Sequence, residues 1–182
     1  AGGGQGGGML RLLCGGLALI GIGSGLFHTV AQSWAALADV GPIVLFILTY
    51  LFAINRDVVG LRPLAALGAT ALFLPYAAAV GAGFAQIPAL GSSAAYGPVP
   101  VLILLYAAAL RHRAPALARG FAIGAWLLIL SLTARTLDMP LCRALPVGTH
   151  FLWHLLNAAM LGWMIEVYRR FCMAAPAPRN AA

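Results

Sequence analysis

The chain is 182 residues long, 62% of them hydrophobic and only 8% charged, and its eleven basic side chains are all arginine. Soluble domains carry about 25% charged residues, so this composition excludes a water-soluble globule, a nucleic-acid-binding module and a disordered tail, despite a formal charge of +7. What remains is an all-α polytopic membrane protein, in which each crossing needs about 20 apolar residues.

The first eight residues, Ala1-Gly2-Gly3-Gly4-Gln5-Gly6-Gly7-Gly8, have no charged-then-apolar pattern of a signal peptide and are expected to be a disordered segment. A transmembrane domain over 9–172 and a cytoplasmic tail over 173–182 follow. Six apolar segments are predicted as helices, at 12–31, 34–54, 64–84, 96–110, 120–134 and 147–168, because hydrocarbon offers no water to an unpaired backbone. The fourth and fifth are short for a core about 30 Å thick.

If these segments alternate across the membrane, Arg11, Arg56, Arg62, Arg111, Arg113, Arg119, Arg169, Arg170 and Arg179 fall on one side. Arg135 and Arg143 fall on the other. The positive-inside rule makes the arginine-rich side cytoplasmic, along with the C-terminus. Cys14, Cys142 and Cys172 form no CxxC pair.

Ionisable residues are costly inside a span and therefore conspicuous. His28 lies near the outer end of the first helix, about 6 Å below it at 1.5 Å per residue. Ser24 is one turn deeper on the same face. Asp39 begins the second helix at that same end, and His150 and His154 occupy the first two turns of the last one. Three helices thus bring polar groups to one depth. His150 and His154 form an HxxxH pair, which places two imidazoles on one helix face, close enough to share a metal ion. With His28 they make a three-histidine set with one position open, the arrangement of catalytic zinc. Asp39 is placed to hold or deprotonate a water, and the Ser24 hydroxyl to donate to an oxyanion. Taken singly, Ser24 also reads as a helix-packing serine and Asp39 as an N-cap of the second helix. His112 and Asp138 read as loop residues, and Glu166 as an ion-pair partner of Arg169 and Arg170.

The stretch Ser24-Gly25-Leu26-Phe27-His28-Thr29, then Asp39, then Gly148-Thr149-His150-Phe151-Leu152-Trp153-His154-Leu155-Leu156-Asn157 resembles the alkaline ceramidase family, most closely its bacterial members. The wider superfamily of seven-span membrane hydrolases includes the adiponectin receptors. The resemblance runs over 20–168 and rests on SxxxH, a following Asp and a late HxxxH. It implies that His28, His150 and His154 are zinc ligands. Asp39 would orient and activate the attacking water, and Ser24 would stabilise the oxyanion. The implied reaction is hydrolysis of ceramide, or a related N-acyl lipid, to a sphingoid base or amine and a fatty acid. The lipid would arrive through a side opening between helices. It also implies a bacterial inner-membrane location, while the arginine count and helix depth place the polar residues toward the outer leaflet. Family members bind calcium through an acidic segment ahead of their first span, and no residue here matches it. The chain begins just before what would be the second span, which leaves six spans of the family's seven, and Cys142 without a disulfide partner.

Two other functions fit parts of this pattern. A bis-histidine haem electron carrier would pair His28 with His150 or His154 and leave Ser24 and Asp39 without a role. A receptor or scaffold would keep the site in a degenerate, non-catalytic form.

Overall fold

The computed structural model describes residues 6–174, which are helical apart from short connections and contain no strand. Helix α1 (Gly6–Val30) and helix α2 (Ser33–Ala53) form an antiparallel hairpin. The turn between them is two residues long because Ala31 adopts a left-handed conformation, φ 52°, that stops α1 at once. Beyond α2 the chain widens into a π-helical turn, Ile54–Val58, with Val59 N donating to Ile54 O. Helices α3 (Pro63–Ala71) and α4 (Phe73–Phe84) are one rod interrupted only at Leu72. The backbone bonds run on through that break, from Leu72 N to Gly68 O and from Tyr76 N to Leu72 O, both 3.2 Å. A 3-10 helix, Pro88–Tyr96, leads into α5 (Pro98–Leu110) with a bend of 58°. Helices α6 (Pro115–Leu141) and α7 (His150–Ala174) complete the bundle.

Four stretches are long and apolar enough to cross a membrane: Gly7–Val30, Ser33–Val58, Pro63–Phe84 and Pro115–Leu141, of 24, 26, 22 and 27 residues. The bent pair ending in α5 makes a fifth if it counts as one crossing. Helix α7, with 25 residues, has the length but does not meet the same hydropathy standard. Its own His150, His154, Asn157 and Glu166 lower its average. Of the six crossings expected from the apolar segments, four are thus long and apolar enough, a fifth qualifies only as a bent pair, and the sixth, α7, does not qualify.

Other boundaries also move. Gly6–Gly8, expected in a disordered segment, begin α1, and Met173 and Ala174, expected in the tail, end α7. Residues 1–5 and 175–182, including Arg179, lie outside the described residues. The fifth segment is much longer than its apolar run, so Arg135 and Asp138 are helical residues of α6 rather than loop residues.

Helix α7 packs along α6 and also touches α1, while α5 packs on the other side of α6. The core between them holds Phe46, Tyr50, Phe121, Leu128, Met160, Met164 and Tyr168. Polar atoms in this core are answered by backbone: the Tyr50 hydroxyl donates to Met164 O at 3.0 Å and Trp163 Nε1 to Gly120 O at 2.8 Å. At the arginine-rich end, Asn55 joins Thr70 and Tyr106 by bonds of 3.3 and 2.7 Å. There Tyr168 also donates to Asp57, which pairs with Arg56. Such closed networks fasten helices where apolar packing gains little against lipid. The exterior is apolar: Leu12, Ile22, Leu37, Leu64, Leu72, Trp126 and Leu155 are each more than half exposed. A surface of this kind is what lipid covers, and it agrees with a membrane protein.

One close approach sets the site. A Cβ on Gly23 would run into Ala38 O and stand 3.3 Å from Asp39 Cα. Only glycine lets α1 and α2 meet there, with Ser24 next to the contact on one side and Asp39 on the other. Gly23→Ala is expected to wedge the hairpin apart and destabilise the protein by about 1–3 kcal/mol. Thermal unfolding in detergent checks this, with Gly25→Ala, where an added Cβ meets nothing within 4 Å, as the control.

Candidate metal centre

His28 is presented by α1 one turn after Ser24, and His150 and His154 by the first two turns of α7. The three imidazoles converge. Their ring centroids are 5.4 Å apart for His28 and His150, and 4.8 Å apart both for His28 and His154 and for His150 and His154. One nitrogen from each lies within 4.8 Å of the other two. His28 Nε2 and His154 Nε2 are 3.0 Å apart. Tetrahedral zinc, with Zn–N bonds of about 2.0–2.1 Å, holds its nitrogens about 3.4 Å apart. The three-nitrogen donor set therefore fits a zinc-type ion after shifts of no more than side-chain size. Nothing in the geometry names the ion.

The rear nitrogens are also engaged. His154 Nδ1 is 3.4 Å from Ser24 Oγ, so with Nε2 turned to the cluster its Nδ1–H donates to the hydroxyl. His150 Nδ1 faces Asp138 Oδ2 at 3.8 Å. Outer partners of this kind fix the tautomer and orientation of a metal-binding histidine.

Asp138 does a second job. Its Oδ1 accepts from Thr149 N at 2.7 Å and from His150 N at 3.0 Å, satisfying the first free amides of α7 and placing a negative charge at that helix's positive end. Gly148, at φ 67°, makes the turn into α7, and a Cβ there would collide with Asp138 Oδ1. Thr149 Oγ1 donates to Ala134 O at 2.6 Å and Ser131 Oγ to Trp153 O at 3.0 Å, so α6 grips the whole first turn of α7. A metal ion held by the three histidines is expected to bind about 10–100-fold more weakly in Asp138→Ala, which should also cost about 1 kcal/mol of stability through the lost cap. Asp138→Asn keeps the Oδ1 acceptor and should lose affinity but little stability. Competition with a metal chelator and thermal unfolding separate the two effects.

Asp39 sits in the second turn of α2, not at its N-cap, which is Gln32. It lines a cavity of about 490 Å³ together with Ser24, His28, His154 and Asn157. None of the ion pairs among the described residues uses it. The cavity opens sideways between α1 and α7, where its lining residues Gly21, Gly25 and Ala158 are exposed. A second, apolar cavity of about 80 Å³ continues inward past Ile43, Tyr96, Trp153 and Leu161.

The five residues singled out in the sequence are thus brought to one end of the bundle: three converge, Ser24 backs one of them, and Asp39 shares their cavity. Asp138 was missed as a site residue because polarity placed it in a loop. Its signal was the spacing that leaves it beside the start of the last helix. His112 does lie in a turn, where its Nε2 accepts from Arg111 Nε. Glu166 pairs with Arg169 and Arg170. Cys14, Cys142 and Cys172 are all free thiols. Comparison with protein-family models, with curated proteins and with solved structures finds no match to the chain.

Proposed function

We propose that the protein is an intramembrane zinc-dependent amidohydrolase that cleaves the amide of ceramide or a related N-acyl lipid, giving a sphingoid base or amine and a fatty acid. The observation that carries this is the convergence of His28, His150 and His154 on one point at a cavity that also holds Ser24 and Asp39. The amide as scissile group comes from the resemblance of these motifs to alkaline ceramidases.

A zinc ion held by the three imidazoles would supply a water ionised near neutral pH and a Lewis acid for the amide carbonyl. Asp39 takes the proton of the attacking water and passes it to the departing nitrogen as the C–N bond breaks. Ser24 accepts from His154 and keeps its own O–H for the carbonyl oxygen, where negative charge develops. The side opening admits a lipid amide without drawing the lipid into water. The inner apolar cavity, about 80 Å³, is smaller than the roughly 150 Å³ that holds one benzene. A long acyl chain therefore extends into the bilayer through the opening.

Orientation follows from charge. Arg11, Arg56, Arg62, Arg111, Arg113, Arg119, Arg169 and Arg170 lie toward the end of the bundle away from the histidines. By the positive-inside rule that end is cytoplasmic and the site belongs to the outer leaflet. The haem reading is disfavoured by the same geometry. Axial imidazoles face one another across a porphyrin plane, whereas here two Nε2 atoms stand 3.0 Å apart with a third ring beside them.

The test is to reconstitute the purified protein in phosphatidylcholine vesicles with ceramide and follow release of fatty acid and sphingoid base, with metal content measured in parallel. Turnover that disappears with the metal and returns with zinc supports the proposal. Metal bound without turnover of any N-acyl lipid would favour the scaffold reading, and turnover untouched by complete metal removal would sink the mechanism.

A further inference from the structure

Arg135 is a cation beside the site that the proposed chemistry leaves unused. It stands six residues before the end of α6, about 9 Å inside that end and at the level of the histidines. A charge at such a depth persists where it has a partner or a task. Among the described residues Arg56 pairs with Asp57, Arg169 and Arg170 pair with Glu166, and the remaining arginines are exposed, whereas Arg135 is half-buried and enters no ion pair. Its guanidinium lies over the Trp153 ring at 5.0 Å and the Tyr96 ring at 5.3 Å. One amino group donates to Ser92 Oγ at 3.1 Å, and Nε is buried without an acceptor.

Two aromatic faces and one neutral hydroxyl fix the plane of the guanidinium but do not neutralise it. Most of its five N–H donors have no protein acceptor. The aromatic side chains that hold it, Tyr96 and Trp153, also form the wall of the histidine cavity. Trp153 is the chain neighbour of His154, with ring centroids 6.3 Å apart. A cation is thereby held rigidly one ring away from the three histidines, beside the exposed Ser92.

We propose that Arg135, with Ser92, receives an anionic group, phosphate or carboxylate, on the polar end of the lipid whose amide lies at the histidines. The enzyme is then selective for anionic N-acyl lipids. This rests on the hydrolase reading and adds the substrate class to it. A planar guanidinium with free N–H groups is the side chain suited to paired bonds with such oxyanions.

The experiment compares ceramide with ceramide 1-phosphate in phosphatidylcholine vesicles, for the full chain and for Arg135→Gln and Arg135→Lys. The readout is the ratio of kcat/KM for the two lipids, which cancels any general loss from the substitution. The wild type should prefer the phosphorylated lipid about tenfold or more, chiefly through KM, as one charge-assisted contact allows. Arg135→Gln should bring the ratio near one, and Arg135→Lys should retain part of it. A wild type that cleaves both lipids alike overturns this inference and leaves the hydrolase reading standing. A wild type that cleaves neither removes both. A second arm adds phosphatidylglycerol to the vesicles with ceramide as substrate. Activation that is lost in Arg135→Gln would assign the anion to a neighbouring lipid and overturn its assignment to the substrate.

Discussion

On the proposed hydrolase mechanism, replacing His154 with alanine is expected to empty the metal centre and to lower lipid amidase turnover by at least about a thousandfold, well beyond the 10–100-fold that loss of an outer partner brings. His154 is the hub of the site. Its Nε2 stands 3.0 Å from that of His28, its Nδ1 3.4 Å from Ser24 Oγ, and its ring 4.8 Å from that of His150. Without it, the two remaining imidazoles come from different helices and share no direct hydrogen bond, so tight binding is lost together with the orientation of Ser24. Because the ion would join α1 to α7, helices with few other contacts between them, its loss should also lower the unfolding temperature. The wild type should fall to the same temperature on chelation. His154→Ala should show no further fall when chelator is added. Elemental analysis, hydrolysis rates and thermal unfolding measured on one preparation check the three effects together. A variant that kept one zinc per chain and wild-type turnover would show that the ion sits elsewhere.

What the sequence made legible, and what it hid, follows from the kind of signal each residue carries. His150 and His154 share a face because four residues make about one helical turn, and Ser24 and His28 do so for the same reason. Their meeting across 126 residues was legible only through depth, since polar groups at matching ends of three spans have few other places to go. Segment ends were less legible because hydropathy registers side-chain polarity and not whether a polar group is satisfied. The run around Ala134 loses its apolar character at Arg135, Thr136 and Asp138, yet α6 continues to Leu141. Each of those side chains has its own accommodation: Arg135 on two rings, Thr136 on the Leu132 carbonyl at 2.8 Å, and Asp138 on the amides that open α7. The two residues hidden by this effect are the ones that brace the site. The bend before α5 has a different origin. Gly91 at φ 49° interrupts the 3-10 helix, and Pro98 at the start of α5 ends what precedes it.

Asp39→Asn is expected to retain the metal and lower kcat by about 10²–10⁴-fold, the usual worth of a positioned general base, with KM little changed. The substitution keeps the size of the side chain and one acceptor oxygen while removing basicity, so packing of α1 against α2 at Gly23 is preserved. Capping does not explain Asp39, because α2 starts after Gln32 and Asp39 lies in its second turn. Ion pairing does not explain it either, since its carboxylate enters no ion pair among the described residues. What remains is the cavity it shares with Ser24, His28 and His154, where, on the proposed mechanism, a half-buried carboxylate would move a proton from the attacking water to the departing nitrogen. The decisive comparison is with Asp138→Asn. Both variants exchange a carboxylate for an amide near the histidines, but Asp138 acts through His150 and should weaken metal binding, with turnover recovering at high zinc. In the proposed mechanism Asp39 acts on the reacting atoms, so saturating zinc should restore nothing. Rates measured across a zinc titration distinguish the two. If Asp39→Asn regained wild-type kcat at high zinc, the carboxylate would be a support for the metal and the proton would have to travel by another route.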